Sequence, residues 1–305
     1  MRFRQLGSSG LTVSVVGLGC NNFGSRLDVA ASRRVIDAAL DAGVTLLDTA
    51  DTYGGKGGSE SAIGEILGKR RERVVLATKF GSDMGDGERA RGGRRYVRRA
   101  VDASLRRLKT DWIDLYQLHR PDPLTPVSET LSALDELVKE GKVRYLGSSN
   151  FAAWQVADAD WIASDLKVER FVAAQNHYSL LERGAEAELL WACEHFGVGL
   201  LPYFPLANGL LTGKYRRGEP MPEGTRLAGK EIDDATFETI ELLEDFARLR
   251  KHSLLDLAFA GLLAQPSVAS VIAGATSPEQ VAANVAAGDW ELSTVDVAAL
   301  GVLLP

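Results

Sequence analysis

The stretch Arg73–His119, RVVLATKFGSDMGDGERARGGRRYVRRAVDASLRRLKTDWIDLYQLH, decides the fold. It opens on the apolar run RVVLATK (73–79), crosses a glycine-rich polar loop and enters the helix-patterned run RRYVRRAVDASLRRL (94–108). It then returns to a second apolar run, WIDLYQLH (112–119). Both apolar runs are nearly continuous, as expected when a parallel strand is buried on both faces. A helix between two such strands makes a parallel crossover unit.

Working outward, the same unit recurs along the chain. VSVVGLG (13–19), VTLLD (44–48), KVRYLGSS (142–149), ERFVAAQ (169–175), VGLLPYF (198–204) and VASVIAG (268–274) supply six further strands. Helical runs follow them at 28–43, 59–70, 126–141, 151–163, 184–197, 235–250 with 253–264, and 277–288. These repeat apolar residues three and four positions apart, as Val35, Ile36, Ala39 and Leu40 do. Eight strand–helix alternations favour a closed (β/α)8 TIM barrel over an open sheet. The expected architecture is one α/β domain over residues 1–305, with an N-terminal β-hairpin and a last helix near 293–303. A Gly- and Pro-rich loop at about 206–234 is too short for a domain and long enough to be functional.

A net charge of −6 makes nucleic acid and anionic membrane poor partners. Cys20 and Cys193 lie far apart, so no metal spacing or disulfide framework is visible, and no metal is expected. The start, MRFRQLGSSG, lacks the apolar core of a signal peptide. The most apolar helical run, SLLDLAFAGLLAQ, is short and carries Asp256. A reduced, cytoplasmic setting is the expectation.

Nucleotide-loop motifs are absent. GLGCNNFG (17–24) has Asn22 where a dinucleotide fingerprint needs glycine, and no phosphate-loop G-x-x-x-x-G-K-[S/T] occurs. GGKGG (54–58) is read as a flexible turn before the second helix.

What remains is the polar residue at the end of each strand. All barrel strands point their C-terminal ends to one face, where active sites form. Asp48 ends the second strand, Lys79 the third and His119 the fourth, and Tyr53 in the next loop can reach the same spot. Singly, these could be a turn cap, a snorkelling lysine and a core histidine. Together they form a coherent set, because a buried lysine needs a counter-charge and Asp48 is available. The Lys79 ammonium would lower the pKa of the Tyr53 phenol, and His119 would orient a carbonyl oxygen toward it. Such a site presents a proton donor to an oxygen that gains charge when a hydride arrives.

The motifs LLDTADTYG (46–54), ATKFG (77–81), IDLYQLHRPD (113–122), GKVRYLGSSNF (141–151) and YFPLANGLLTGKY (203–215) resemble the signatures of the aldo-keto reductase superfamily. The likeness runs from GLTVSVVGLGC to VIAGATSPEQVAANV, nearly the whole chain. It implies a nicotinamide-dependent (β/α)8 barrel in which Asp48, Tyr53, Lys79 and His119 are the catalytic tetrad. It implies an oxidoreductase passing a hydride between NADP(H) and an aldehyde or ketone. It further implies that Ser149, Asn150 and Gln175 hold the nicotinamide carboxamide, with Tyr203 stacked on its ring. Asp48, Phe204, Leu206, Lys214 and Arg226 would also contact cofactor. Gly274, Thr276, Gln280 and Asn284 would receive the adenosine end. The residue types agree, since side-chain amides and hydroxyls both donate and accept. Ser149 and Asn150 could instead cap the next helix.

SPEQ (277–280) reads by itself as a helix start: Ser277 as N-cap, Pro278 in first position and Gln280 closing a capping box. A helix N-terminus after the eighth strand suits a phosphate. Two departures from the family matter, and the second thins the positive charge available to a 2′-phosphate. Phe204 stands where many relatives have serine near the pyrophosphate. Thr276 and Gln280 stand where many have arginine, and Glu279 adds a carboxylate. NADP(H) is the expected cofactor, with NAD(H) as the alternative.

On the substrate side, Phe23, Tyr53, Phe80 and His119 are expected to line the pocket, with the rest of CNNFG (20–24). Arg89, Arg91, Arg94 and Arg95 could bind an anionic substrate group, but a solvated basic loop explains them as well. The chain carries no long segment after its last helix, which predicts an open site with broad carbonyl acceptance. Two other readings stand beside the reductase. One is a redox-sensing regulatory subunit that binds NADP(H) and acts through a protein partner; the other is a barrel lyase or isomerase without nicotinamide. The substrate, the preferred direction and the oligomeric state are not encoded in any motif.

Overall fold

The structure is a computed structural model that describes residues 1–304. A short antiparallel hairpin comes first, β1 (Phe3–Gln5) with β2 (Thr12–Ser14). Eight parallel strands follow: β3 (Val16–Gly19), β4 (Leu46–Asp48), β5 (Val75–Phe80), β6 (Ile113–Leu118), β7 (Val143–Ser149), β8 (Phe171–Gln175), β9 (Gly199–Leu200) and β10 (Val271–Gly274). They pair in chain order from β3 to β9, with β10 beside β3. The ends meet: the Leu200 N–H donates to the Ser267 carbonyl at 2.7 Å, and the Ala269 N–H to the Leu200 carbonyl at 2.9 Å. The expected (β/α)8 barrel and N-terminal hairpin are therefore both present, and a helix at Thr294–Leu303 ends the chain.

Alternation sorts the strand residues. Leu46, Ala77, Leu115, Ala173, Leu201 and Ile272 fill the barrel interior. Leu47, Leu76, Tyr116 and Leu146 point outward into the larger core beneath the helices. The hairpin plugs the N-terminal end, where Leu6 and Val13 join the interior cluster, both fully buried. Gly7 makes this docking possible. At its φ of 60°, a Cβ would come within 2.3 Å of the Gly197 carbonyl.

Helix starts follow the sequence signals. Asp28 accepts from the Ala31 N–H at 2.7 Å, and Asp233 from the Thr236 N–H at 2.7 Å. Ser277 caps the helix Pro278–Ala287 as expected. The Gln280 side chain, however, reaches one residue further back and accepts from the Thr276 N–H at 2.8 Å. The capping box is thus displaced onto the loop that enters the helix.

The GGKGG turn departs from the expectation of flexibility. Gly54 has φ 68°, and a Cβ there would meet the Phe23 carbonyl at 2.5 Å and the Ser59 N–H nitrogen at 2.6 Å. Close backbone packing is what Gly54 permits, while Gly55 beside it has open space around it. No helix among the described residues is long and apolar enough to cross a membrane.

Candidate functional site

At the C-terminal rim the inward positions change from apolar to polar. Two residues beyond Leu46 comes Asp48, beyond Ala77 comes Lys79, beyond Leu115 comes Gln117, and beyond Ala173 comes Gln175. The period of two that fills the barrel with leucine and alanine thus delivers these groups to its mouth.

Lys79 is fully buried, and its Nζ donates to Asp48 Oδ2 at 2.7 Å, Asp48 Oδ1 at 2.9 Å and the Thr49 carbonyl at 2.8 Å. Gln175 Nε2 donates to Asp48 Oδ1 at 2.8 Å, and Gln117 Nε2 approaches the same oxygen at 3.4 Å. Both charges are therefore paired and hydrogen-bonded, which burial demands. Burial alone would pull the lysine pKa down, but Asp48 and then Tyr53 outweigh it and hold it above the usual value. The ammonium stays charged.

Tyr53 begins the turn held by Gly54. Lys79 Nζ lies 5.0 Å from the centroid of its ring, and the His119 ring meets it edge-on at 5.9 Å. The sequence expectation of a lowered phenol pKa is corrected here. Burial raises it, and Lys79 recovers only part of that because Asp48 pushes upward from behind. An ammonium already neutralised at 2.7 Å cannot overcome desolvation of the phenolate. Tyr53 is a fully protonated phenol.

His119 is fixed through its backbone. Its N–H donates to the Phe80 carbonyl at 2.7 Å, and its carbonyl accepts from Asn150 Nδ2 at 2.9 Å. Burial, then Lys79 and Arg120, push its pKa down to about 3, so the imidazole is neutral. Its buried Nδ1 has no partner among the described residues.

A cavity of about 760 Å3 runs from this cluster across the barrel mouth. Asp48, Tyr53 and His119 line one part of it; Ser149, Asn150, Gln175, Tyr203, Phe204, Leu206, Lys214, Arg226, Gly274, Thr276, Gln280 and Asn284 line the rest. Ser149 and Asn150 do not cap the next helix. Ser149 Oγ donates to the Gln175 carbonyl at 2.8 Å. Asn150, at φ 60°, accepts from the Tyr203 hydroxyl at 2.8 Å. Tyr203 stacks on His177, with ring centroids 5.3 Å apart. The long loop folds over the cavity: Arg226 Nη2 donates to Asn21 Oδ1 at 3.1 Å and Asn22 Oδ1 at 3.2 Å, and Arg26 Nη2 to the Gly224 carbonyl at 2.7 Å.

Two expected pocket residues lie elsewhere. Phe23 and Phe80 are fully buried and do not line the cavity. Phe80 follows inward-facing Lys79, so alternation turns it outward, where it stacks on Tyr116 at 4.6 Å. Phe23 packs in the outer core, while its neighbours Cys20, Asn21 and Asn22 line the cavity. Burial raises the Cys20 thiol pKa well above the usual range. Arg89, Arg91, Arg94 and Arg95 do not line the cavity either; Arg91 pairs with Asp83 at 2.5 Å and Arg94 with Glu136.

Gln117, Arg26 and Arg120 were not singled out from sequence, whereas Asn21 and Asn22 belong to the CNNFG run expected at the pocket. Gln117 had a usable signal, since it sits two positions before His119 on the same strand. The others lie in loops, where no periodicity points to a side chain's destination.

The aldo/keto reductase family model matches residues 15–303. The chain is 38% identical to an "uncharacterized oxidoreductase YrpG" of Bacillus subtilis (strain 168), covering 100% of this chain and 96% of that protein. It is 35% identical to a "probable voltage-gated potassium channel subunit beta" of Oryza sativa subsp. japonica, covering 95% and 92%. It is 34% identical to an "L-glyceraldehyde 3-phosphate reductase" of Escherichia coli (strain K12), covering 94% and 87%. With its barrel, its rim of polar strand ends and this match over nearly its whole length, the chain belongs to the aldo/keto reductase family.

Proposed function

We propose that the protein interconverts a carbonyl compound and its alcohol with NADP(H), and that Tyr53 is the proton donor. The observation that carries this reading is a protonated phenol between a neutral imidazole and a buried Lys79–Asp48 pair, at one side of a cavity lined by amide and hydroxyl groups. Bound NADPH supplies the hydride that reaches the carbonyl carbon. The chain's residues supply everything else.

His119 and the Tyr53 hydroxyl face the same end of the cavity and hold the carbonyl oxygen between them. As charge develops on that oxygen, Tyr53 releases its proton to it and becomes a phenolate. The Lys79 ammonium, held by Asp48, stabilises that phenolate at the moment it forms. Solvent then restores the proton. In alcohol oxidation the same groups act in reverse, with Tyr53 as base.

Ser149, Asn150 and Gln175 offer donors and acceptors suited to a carboxamide, and Tyr203 an aromatic face. Gly274, Thr276, Gln280 and Asn284 suit the adenosine end. Neither Thr276 nor Gln280 supplies a cation, and Gln280 Oε1 is already engaged by Thr276. NADP(H) is preferred on family habit, and NAD(H) can use the same cradle.

The test is Tyr53→Phe. We expect quenching of protein fluorescence by NADPH to persist, while reduction of an aldehyde panel falls about a thousandfold. Wild-type turnover in the variant would end the proposal. The second reading, a regulatory subunit, is motivated by the likeness to a protein named as a channel subunit. It would be favoured by wild-type turnover slower than minutes together with a stable partner.

A further inference from the structure

The cavity carries four cations, and they are not equivalent. Arg226 and Arg26 spend their guanidinium groups on Asn21, Asn22 and the Gly224 carbonyl. Lys214 lies over the Tyr215 ring, in the same long loop. Arg120 directly follows His119, lines the same cavity and is exposed. It makes no hydrogen bond or ion pair with any described residue. Even its neighbour Asp122 is committed elsewhere, accepting from the Gly92 N–H, the Leu124 N–H and the Thr125 hydroxyl.

The charge of Arg120 bears on two rings that flank the cavity, His119 and Tyr203. Glu182 also bears on Tyr203, with the opposite sign. Lys79 also bears on His119, and the Tyr53 phenol on Tyr203. An unmatched, planar, five-donor fork beside the proposed carbonyl position is suited to a carboxylate or phosphate oxygen pair.

We propose that Arg120 is a specificity residue that selects carbonyl substrates carrying an anionic group, and that it binds that group where it lines the cavity. This rests on the reductase reading above and narrows its substrate class. It also relocates the anion site from the arginines at 89–95, which do not line the cavity.

The experiment compares 4-carboxybenzaldehyde with benzaldehyde in wild type, Arg120→Gln and Arg120→Lys, at low salt with NADPH. Wild type should favour the carboxylate in kcat/KM by about tenfold, through KM, and added salt should shrink the ratio. Arg120→Gln should bring the ratio to about one, and Arg120→Lys should keep part of it, because the charge remains but the fork is lost. An unchanged ratio in Arg120→Gln overturns the proposal. A calorimetric titration with 4-(hydroxymethyl)benzoate needs no turnover and separates the two claims. Weaker binding to Arg120→Gln in a protein that reduces neither aldehyde would sink the reductase reading and keep the anion site. Equal binding to wild type and variant would sink the anion site whatever the turnover.

Discussion

The two ends of this barrel are built by the same strands and differ in their last inward residues and in the hairpin that covers one of them. At the N-terminal end Leu46, Ala77, Leu115 and Ala173 meet Leu6 and Val13 from the hairpin in a buried apolar cluster. Two residues further along the same strands stand Asp48, Lys79, Gln117 and Gln175, in a hydrogen-bonded cluster below an open cavity. One end contributes stability through apolar packing. The other spends stability, since burying an ion pair recovers its desolvation cost only through good geometry. The contrast teaches that strand alternation positions both ends alike, and that residue type divides them into support and site.

Lys79→Met should break the division most severely. It leaves Asp48 buried without its partner, so unfolding by urea should show a loss of about 3–5 kcal/mol, together with loss of carbonyl reduction. Adding Asp48→Leu should restore much of the stability and none of the activity. Should the single variant prove as stable as wild type, Asp48 does not depend on Lys79 for its burial.

At the hairpin end, Leu115→Ala should cost about 3 kcal/mol by cavity formation. NADPH quenching should be unchanged, because the site sits on the next inward layer. A marked loss of NADPH binding in a folded Leu115→Ala protein would show that the two ends are not separable.

A smaller effect is expected just behind the site. Asp51 is 2% exposed, and its Oδ1 has no hydrogen-bond partner. Burial first, then the nearby Glu60, raise its pKa to about 7, while Arg107 and Lys79 pull the other way. A carboxyl whose folded pKa is raised stabilises the fold while protonated and loses that contribution as pH climbs toward 7. Asp51→Asn should therefore match wild type near pH 4 and be the more stable of the two at pH 8. A constant difference across that range would remove Asp51 from the electrostatic account.

The smallest effect is a flat line. With the His119 pKa near 3, reduction should show no inflection between about pH 5 and 8 from this residue. A step near the ordinary histidine value that disappears in His119→Gln would mean that the imidazole is charged at neutral pH.

Much of this was legible in the chain. Apolar runs gave the strand positions, and their last residues gave Asp48, Lys79 and His119, because a parallel barrel sends every strand end to one rim. The cofactor-side positions came from resemblance, and they share one cavity. Phe80 was misplaced because aromatic character says nothing about which side of the sheet a residue takes, and Phe23 because it says nothing about which way a loop residue turns. Counting alternation from Lys79 would have turned Phe80 outward. Gly54 looked loose because sequence shows its freedom and not the Phe23 backbone packed against it.

The sequence by itself determined the order of strands and helices, the barrel, and which acid, lysine, phenol and imidazole could meet, since these follow from periodicity and chain direction. Only the tertiary structure decided the balance of charge among them. Whether burial or the Lys79 ammonium governs Tyr53 depends on how deeply each is sunk and how closely Asp48 already neutralises the lysine. Desolvation and Coulomb energies depend on distances in space, and residue spacing along the chain does not contain them.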